Sequence, residues 1–177
     1  PDHLVPQAPQ LDGSRGSVMY PNANNPTSPV TYFLASNFRR LQAAHNAWGQ
    51  YNYAYNDYIT DPLAPPITGG GRLATITNNV IASSDITFEY DELGRTTNRS
   101  IDGANNSIDW VYDGMSRVVS ETNELGQFDF NYIDDGVGVS KGQSRLASID
   151  YPNGQTTTFD WYGNDQDQRL REIKNLD

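Results

Sequence analysis

Residues 88–95 read Phe-Glu-Tyr-Asp-Glu-Leu-Gly-Arg, and their reading decides the fold. Two aromatics one residue apart lead into an acid, a glycine and an arginine. The stretch is either a catalytic pair, Asp91 with Arg95, or a folding signal that carries charges. Recurrence separates the two. Trp-Val-Tyr-Asp-Gly-Met-Ser-Arg stands at 110–117, 22 residues later. Residues 45–57 align without gaps on 122–134, an offset of 77. Residues 144–162 resemble 71–90 and also 14–33, which share Tyr-Pro-Asn at 151–153 and 20–22. A catalytic pair is not copied at every corner of a chain, whereas a supersecondary unit is.

The arginines keep the same beat. Arg15, Arg40, Arg72, Arg95, Arg117, Arg145 and Arg169 are spaced by 25, 32, 23, 22, 28 and 24 residues. The unit is therefore about twenty-odd residues long with loop insertions, and about seven units fill residues 1–177 as one continuous array. The insertions fall at 61–71 and 134–143.

Each unit alternates before its turn. Ile86, Phe88 and Tyr90 face one way, and Thr87, Glu89 and Asp91 the other; Ile108, Trp110 and Tyr112, Phe128, Phe130 and Tyr132, and Tyr51, Tyr53 and Tyr55 repeat this. Period-two alternation marks a half-buried strand. Arg72–Ile76 and Arg145–Ile149 begin a second strand. Between them, Asp at the first turn position accepts backbone N–H bonds and Gly three residues on supplies a left-handed residue. Asp91 to Gly94 fits this turn fully, whereas Asp113 to Ser116 has Ser where Gly is expected. Asn46 to Gly49 and Asn123 to Gly126 are expected as tips at the opposite sheet edge. The fold expected is all-β: tandem antiparallel hairpins, stacked because one hairpin alone is marginal in water. The aromatic face is expected to be its core.

Composition agrees and excludes other classes. Of 177 residues 11 are Tyr and only two are Lys, and poor helix formers with many aromatics favour strands. A net charge of −10 is the wrong sign for nucleic acid and for anionic membranes. With no cysteine there is no thiolate metal site, and no apolar run reaches the ~20 residues of a spanning helix. The start at Pro1 without Met is read as a mature product or a fragment.

The motif Tyr90-Asp91-Glu92-Leu93-Gly94-Arg95, with its degenerate copy Tyr112-Asp113-Gly114-Met115-Ser116-Arg117, resembles the RHS/YD repeat family. Tyr20-Pro21-Asn22 and Tyr151-Pro152-Asn153-Gly154 resemble hairpin tips common in that family. The resemblance spans essentially the whole chain. It implies a curved, spiralling sheet, a segment of the hollow shell that such repeats build in bacterial polymorphic toxins, insecticidal toxin complexes and teneurins. It marks Tyr90, Asp91, Gly94, Arg95, Tyr112, Asp113, Arg117, Tyr132, Arg145 and Arg169 as structural motif residues. It implies no catalysis, no cofactor and no metal. The partners it implies are the remainder of a larger chain with its enclosed cargo, self-association through open sheet edges, and, on the alternative reading as an extracellular adhesion module, glycans. It implies a secreted or cell-surface location, bacterial rather than animal.

Sharper chemical readings are weaker. His3 and His45 have no matched Ser and Asp arrangement. Asp134 with Asp135, and Asp165 with Asp167, read as solvated loop acids rather than acid–base pairs or, with Asn164, a calcium site. Gly69–Gly71 and Gly136–Gly138 lack the Gly-Lys-Ser/Thr ending of a phosphate loop. Asp61-Pro62-Leu63 lacks the glycine of a self-cleavage motif. Asn98-Arg99-Ser100 and Asn105-Asn106-Ser107 are glycosylation sequons. Outward Val111 and Tyr162 are the candidates for partner contact.

Overall fold

A computed structural model describes residues 16–18, 28–35, 40–57, 68–103, 106–133 and 144–177. Arg15, His3, Tyr20–Asn22, Asp61–Leu63, Asn105 and the loop with Asp134, Asp135 and Gly136–Gly138 lie outside the described residues. The chain is all-β, and its residues divide into two compact units, Pro1–Ala104 and Asn105–Asp177. The first holds β1 (Ser17–Val18), β2 (Val30–Leu34), β3 (Leu41–Asn46), β4 (Gly49–Tyr55), β5 (Leu73–Asn78), β6 (Ile86–Tyr90) and β7 (Thr96–Ile101). The second holds β8 (Ser107–Tyr112), β9 (Val118–Asn123), β10 (Gly126–Tyr132), β11 (Leu146–Asp150), β12 (Thr156–Trp161) and β13 (Leu170–Leu176). Within each unit every strand pairs antiparallel with its sequence neighbour, so each is an open meander of hairpins.

The offset of 77 is an offset between strands. His45 pairs with Gln50 across the tip of β3 and β4, and Thr122 pairs with Gln127 across that of β9 and β10. The expected alternation sets the faces. In β6 Ile86, Phe88 and Tyr90 are half-buried, while Thr87 and Glu89 are exposed. In β8 Ile108, Trp110 and Tyr112 are half-buried against exposed Asp109 and Val111.

The aromatic face is not a sealed core. Among the described residues only Ala43, Ala44, Gly69 and Thr157 are buried, and no large side chain is fully so. The reason is topological. In each unit the described strands form one meander, and no second layer of described residues packs on it. The backbone ladder and neighbouring rings carry most of the stabilisation.

Candidate functional site

The chemistry-bearing residues of the repeat meet at the corners where β6 turns into β7 and β8 into β9. The Asp91 Oδ1 accepts the backbone N–H groups of Leu93 and Arg95, each at 2.9 Å. Its Oδ2 accepts the Arg95 Nε–H at 2.6 Å. Asp113 repeats this atom for atom with Met115 at 2.8 Å, Arg117 N at 2.9 Å and Arg117 Nε at 2.6 Å. The Gly94 N–H donates to the Asp91 carbonyl at 2.9 Å, and the Ser116 N–H to the Asp113 carbonyl at 3.0 Å. Gly94 has φ 74° and Ser116 φ 64°, so the second corner holds a left-handed backbone without glycine. Desolvation pushes the Asp91 carboxyl up, but the Arg95 N–H, the Arg95 guanidinium and the Leu93 N–H together hold it below its ordinary value. The Arg117 N–H leads the same balance at Asp113, also lowered against desolvation. Both carboxylates are committed to the turn.

The arginine does more than tie down its own corner. The carbonyls of Arg40, Arg72, Arg95, Arg117, Arg145 and Arg169 accept the N–H groups of Ala35, Asn56, Asp91, Asp113, Ile133 and Tyr162, all between 2.8 and 3.0 Å. Each corner then shifts register, pairing Leu34 with Leu41, Tyr55 with Leu73, Tyr90 with Thr96, Tyr112 with Val118, Tyr132 with Leu146 and Trp161 with Leu170. Such a bulge bends and twists the strand that carries it.

The guanidinium reaches forward to the ring that ends the second strand after it. Arg40 stands over Tyr55 at 5.2 Å, Arg72 over Tyr90 at 5.7 Å, Arg117 over Tyr132 at 4.3 Å and Arg145 over Trp161 at 5.3 Å. The polar end of each ring donates to the carbonyl one residue past that arginine. Tyr55 donates to Leu41 at 2.9 Å, Tyr90 to Leu73 at 2.7 Å, Tyr132 to Val118 at 2.8 Å and the Trp161 indole N–H to Leu146 at 2.8 Å. One rung is thus an arginine, the residue after it, and an aromatic donor closing the second strand. The ring is held on its face by cation–π attraction and at its tip by a hydrogen bond. Burial pushes the Tyr90 phenol up despite Arg72 nearby.

The opposite ends of the strands carry a second device. Asn46, Asn78 and Asn123 each stand six residues after a rung arginine. Their Oδ1 atoms accept the N–H of Trp48 at 2.8 Å, of Val80 and Ile81 at 2.8 and 2.7 Å, and of Leu125 at 2.9 Å. Gly49 and Gly126 follow at φ 116° and 117°. A Cβ on Gly126 would lie 2.6 Å from Pro152, and one on Gly49 2.7 Å from Val80, so each tip stacks on the next through its glycine.

The motif residues occupy these stations. Tyr90, Tyr132, Arg117 and Arg145 belong to rungs, and Asp91, Gly94, Arg95 and Asp113 to corners. Tyr112 ends β8 at the corresponding place, and Arg169 closes the last corner. Sequence reasoning missed the forward reach of arginine and the arginine-to-asparagine interval. The first signal lay in the aromatic 15 to 18 residues after Arg40, Arg72, Arg117 and Arg145; the second lay in a six-residue spacing masked by variable tips. Among the described residues no three His, Cys, Asp or Glu side chains gather as metal ligands. Asp165 lies in a short 3-10 turn, Asn164–Gln166, with Asp167 just after it at φ 58°. A small groove of about 260 Å3 lies at the tips of the second unit, lined by Leu125, Phe128, Tyr151, Pro152 and Asn153. There Phe128 meets Tyr151 edge to face at 5.8 Å. Val111 and Tyr162 are both exposed, and the Tyr162 ring lies 5.9 Å from both Arg169 and Arg171.

Fold and corner geometry together define a class: an antiparallel β-hairpin repeat protein. No family model matches the chain, and no curated protein matches it. Among 26 matching solved chains, one in the crystal structure of TcdB2-TccC3-Cdc42 aligns with 92% of this chain at 12% identity and a TM-score of 0.30. The protein spans 11% of the length of that chain.

Proposed function

We infer that the chain is a non-catalytic wall segment of the RHS/YD type, part of a curved β-shell that encapsulates or displays another polypeptide at or beyond the cell surface. The rung carries this reading. Four arginines and the ring donors they cover hold one hairpin to the next, the two acids hold their own turns, and the pattern repeats in both units. The half-bare aromatic face supports it further, because a wall presents one face to whatever it surrounds. The test is protease protection in the longer chain that this reading requires. The enclosed polypeptide should resist digestion in the intact protein and become sensitive when Tyr90→Ala and Tyr132→Ala open two rungs. Equal digestion in both would sink the proposal.

The groove at Leu125, Phe128, Tyr151 and Asn153 favours a second reading, an extracellular carbohydrate-binding module. Aromatic faces beside an amide suit the apolar face and hydroxyls of a sugar ring. Saturable glycan binding, abolished by Tyr151→Ala, would support it; an array without a hit would remove it.

A further inference from the structure

Glu121 is an acid that stands among rings. It pairs with Trp110 of β8 on one side and with Phe128 of β10 on the other, so the three form one cross-strand row on the aromatic face. Tyr151 braces Phe128 at the end of the row, edge to face at 5.8 Å and 81°. All four side chains are half-buried. The Trp110 indole donates to the Glu121 Oε2 at 3.0 Å, and the Asn123 amide donates to its Oε1 at 3.1 Å. Both donors are neutral, and an ionised carboxylate has room for about four. Among the described residues no lysine or arginine pairs with Glu121, and none stands over Trp110 or Phe128. A half-buried carboxylate with neutral donors alone keeps an unmatched charge.

The same unit shows what an acid and a ring hold together. Arg117 places its Nε 2.6 Å from the Asp113 carboxylate and its guanidinium 4.3 Å from the centre of the Tyr132 ring. Glu121 and Phe128 repeat that pair of groups without the cation. We propose that they form a binding site for a guanidinium, the arginine side chain of a partner polypeptide. Its N–H fork meets the open lone pairs of Glu121, and its plane lies on the Phe128 ring. Residues opposite each other on antiparallel strands have Cβ atoms ~4.5–5.5 Å apart, so one guanidinium spans both. Charge points to the same occupant. The unit Asn105–Asp177 carries thirteen acids against six bases, and such a surface draws cations. Lysine fits less well, because its ammonium is strongly hydrated and has no flat face to stack. The site lies within β8, β9 and β10, with a described strand paired on each side of Glu121. It goes beyond the wall reading and does not rest on it.

The probe is N-acetylargininamide, titrated into the isotope-labelled 177-residue chain and followed by NMR. The indole N–H of Trp110 is the reporter, since it is bonded to Glu121. The expected result is a saturable shift of that signal together with those of Glu121 and Phe128, while the Trp48 and Trp161 indoles stay in place. The citrulline analogue, which has the same shape without the charge, should bind about tenfold more weakly, and the lysine analogue should fall between. Glu121→Gln, which keeps an acceptor for Trp110, should weaken arginine binding about tenfold, and Phe128→Leu about threefold. The citrulline arm uses the unaltered chain, so a misfolded variant cannot imitate its result. No saturation, shifts centred on other residues, equal binding of the arginine and citrulline forms, or full affinity in Glu121→Gln would each overturn the proposal. A sugar held in the neighbouring groove would not create the arginine–citrulline difference, so the two readings fail separately.

Discussion

At the scale of single residues, the two Tyr-Asp corners form a matched pair, because their aspartates make the same turn hydrogen bonds while the left-handed residue is Gly in one and Ser in the other. Gly94 bears φ 74° without a Cβ, whereas Ser116 bears φ 64° with one. Left-handed backbone costs a residue with a Cβ roughly 1 kcal/mol, so Ser116→Gly should stabilise by about 0.5–1 kcal/mol. Gly94→Ser should destabilise by roughly 1 kcal/mol. A Cβ at Gly94 would also sit 2.6 Å from the Arg72 Nε, a flexible group that can give way. Urea midpoints at constant slope would show opposite displacements for the two variants, and displacements of the same sign would contradict the shared geometry. The acids at these corners make a second prediction. Asp91 and Asp113 are held below the ordinary carboxylate value of 3.8, so folding favours their ionised form. That stability is fully present above pH 3.8 and is lost as the pH falls through the lowered native values. Urea midpoints measured from neutral pH downward should fall through this acid window, and the Asp91→Asn, Asp113→Asn double variant should show a flatter acid limb. An unchanged limb would mean that the carboxylates titrate alike in both states.

At the scale of elements, the rung is the unit of cohesion, and its parts can be separated. Tyr132→Phe keeps the ring beneath Arg117 but loses the donor to the Val118 carbonyl, which should cost about 1 kcal/mol. Tyr132→Ala also loses the half-buried ring and should cost roughly 1–2 kcal/mol more. A double-mutant cycle of Arg72→Ala with Tyr90→Phe and Tyr90→Leu isolates the cation–π contact, with an expected coupling of about 0.5–1 kcal/mol to the ring. Additive effects would show that the 5.7 Å contact between Arg72 and Tyr90 is energetically silent. This scale also shows where the sequence could be read and where it could not. Asp91, Gly94, Asn46, Asn123 and the alternation of Phe88 with Tyr90 were legible because turns and strands are set by neighbours in the chain. The pairing of Arg40 with Tyr55 was not, because it depends on the register across a tip and on the bulge at Tyr55, to which no local pattern points. Gly69 is a similar case. It reads as part of a loose Gly-Gly-Gly insertion, yet it is buried flat against the Tyr90 ring, where a Cβ would lie 2.4 Å from that ring.

At the scale of the whole molecule, the expectation that failed was the buried core, and its failure has a measurable consequence. Alternation told which side of each strand is apolar, but it could not tell whether anything lies upon that side. Two-layer domains bury large side chains fully, whereas here Ala43 and Ala44 at 6% and 8% exposure are the buried hydrophobics among the described residues. The denaturant slope reports the surface that unfolding newly exposes. A chain whose rings are already half-wet in the native state must therefore unfold with a shallow slope for its length. It is expected in the lower half of the roughly 1–3 kcal/mol/M typical of small proteins in urea. The same bare rings should bind an environment-sensitive hydrophobic dye in native buffer, while the far-ultraviolet spectrum still shows β-structure and the transition stays cooperative. Tight side-chain signals distinguish this state from a molten globule, which also binds such dyes. If a second copy covered the aromatic face, dye binding would fall and the slope would steepen as protein concentration rose. A slope and a dye signal that stay constant over a hundredfold range of concentration would show that the face stays open in solution, held up by ladders and rungs and not by a core.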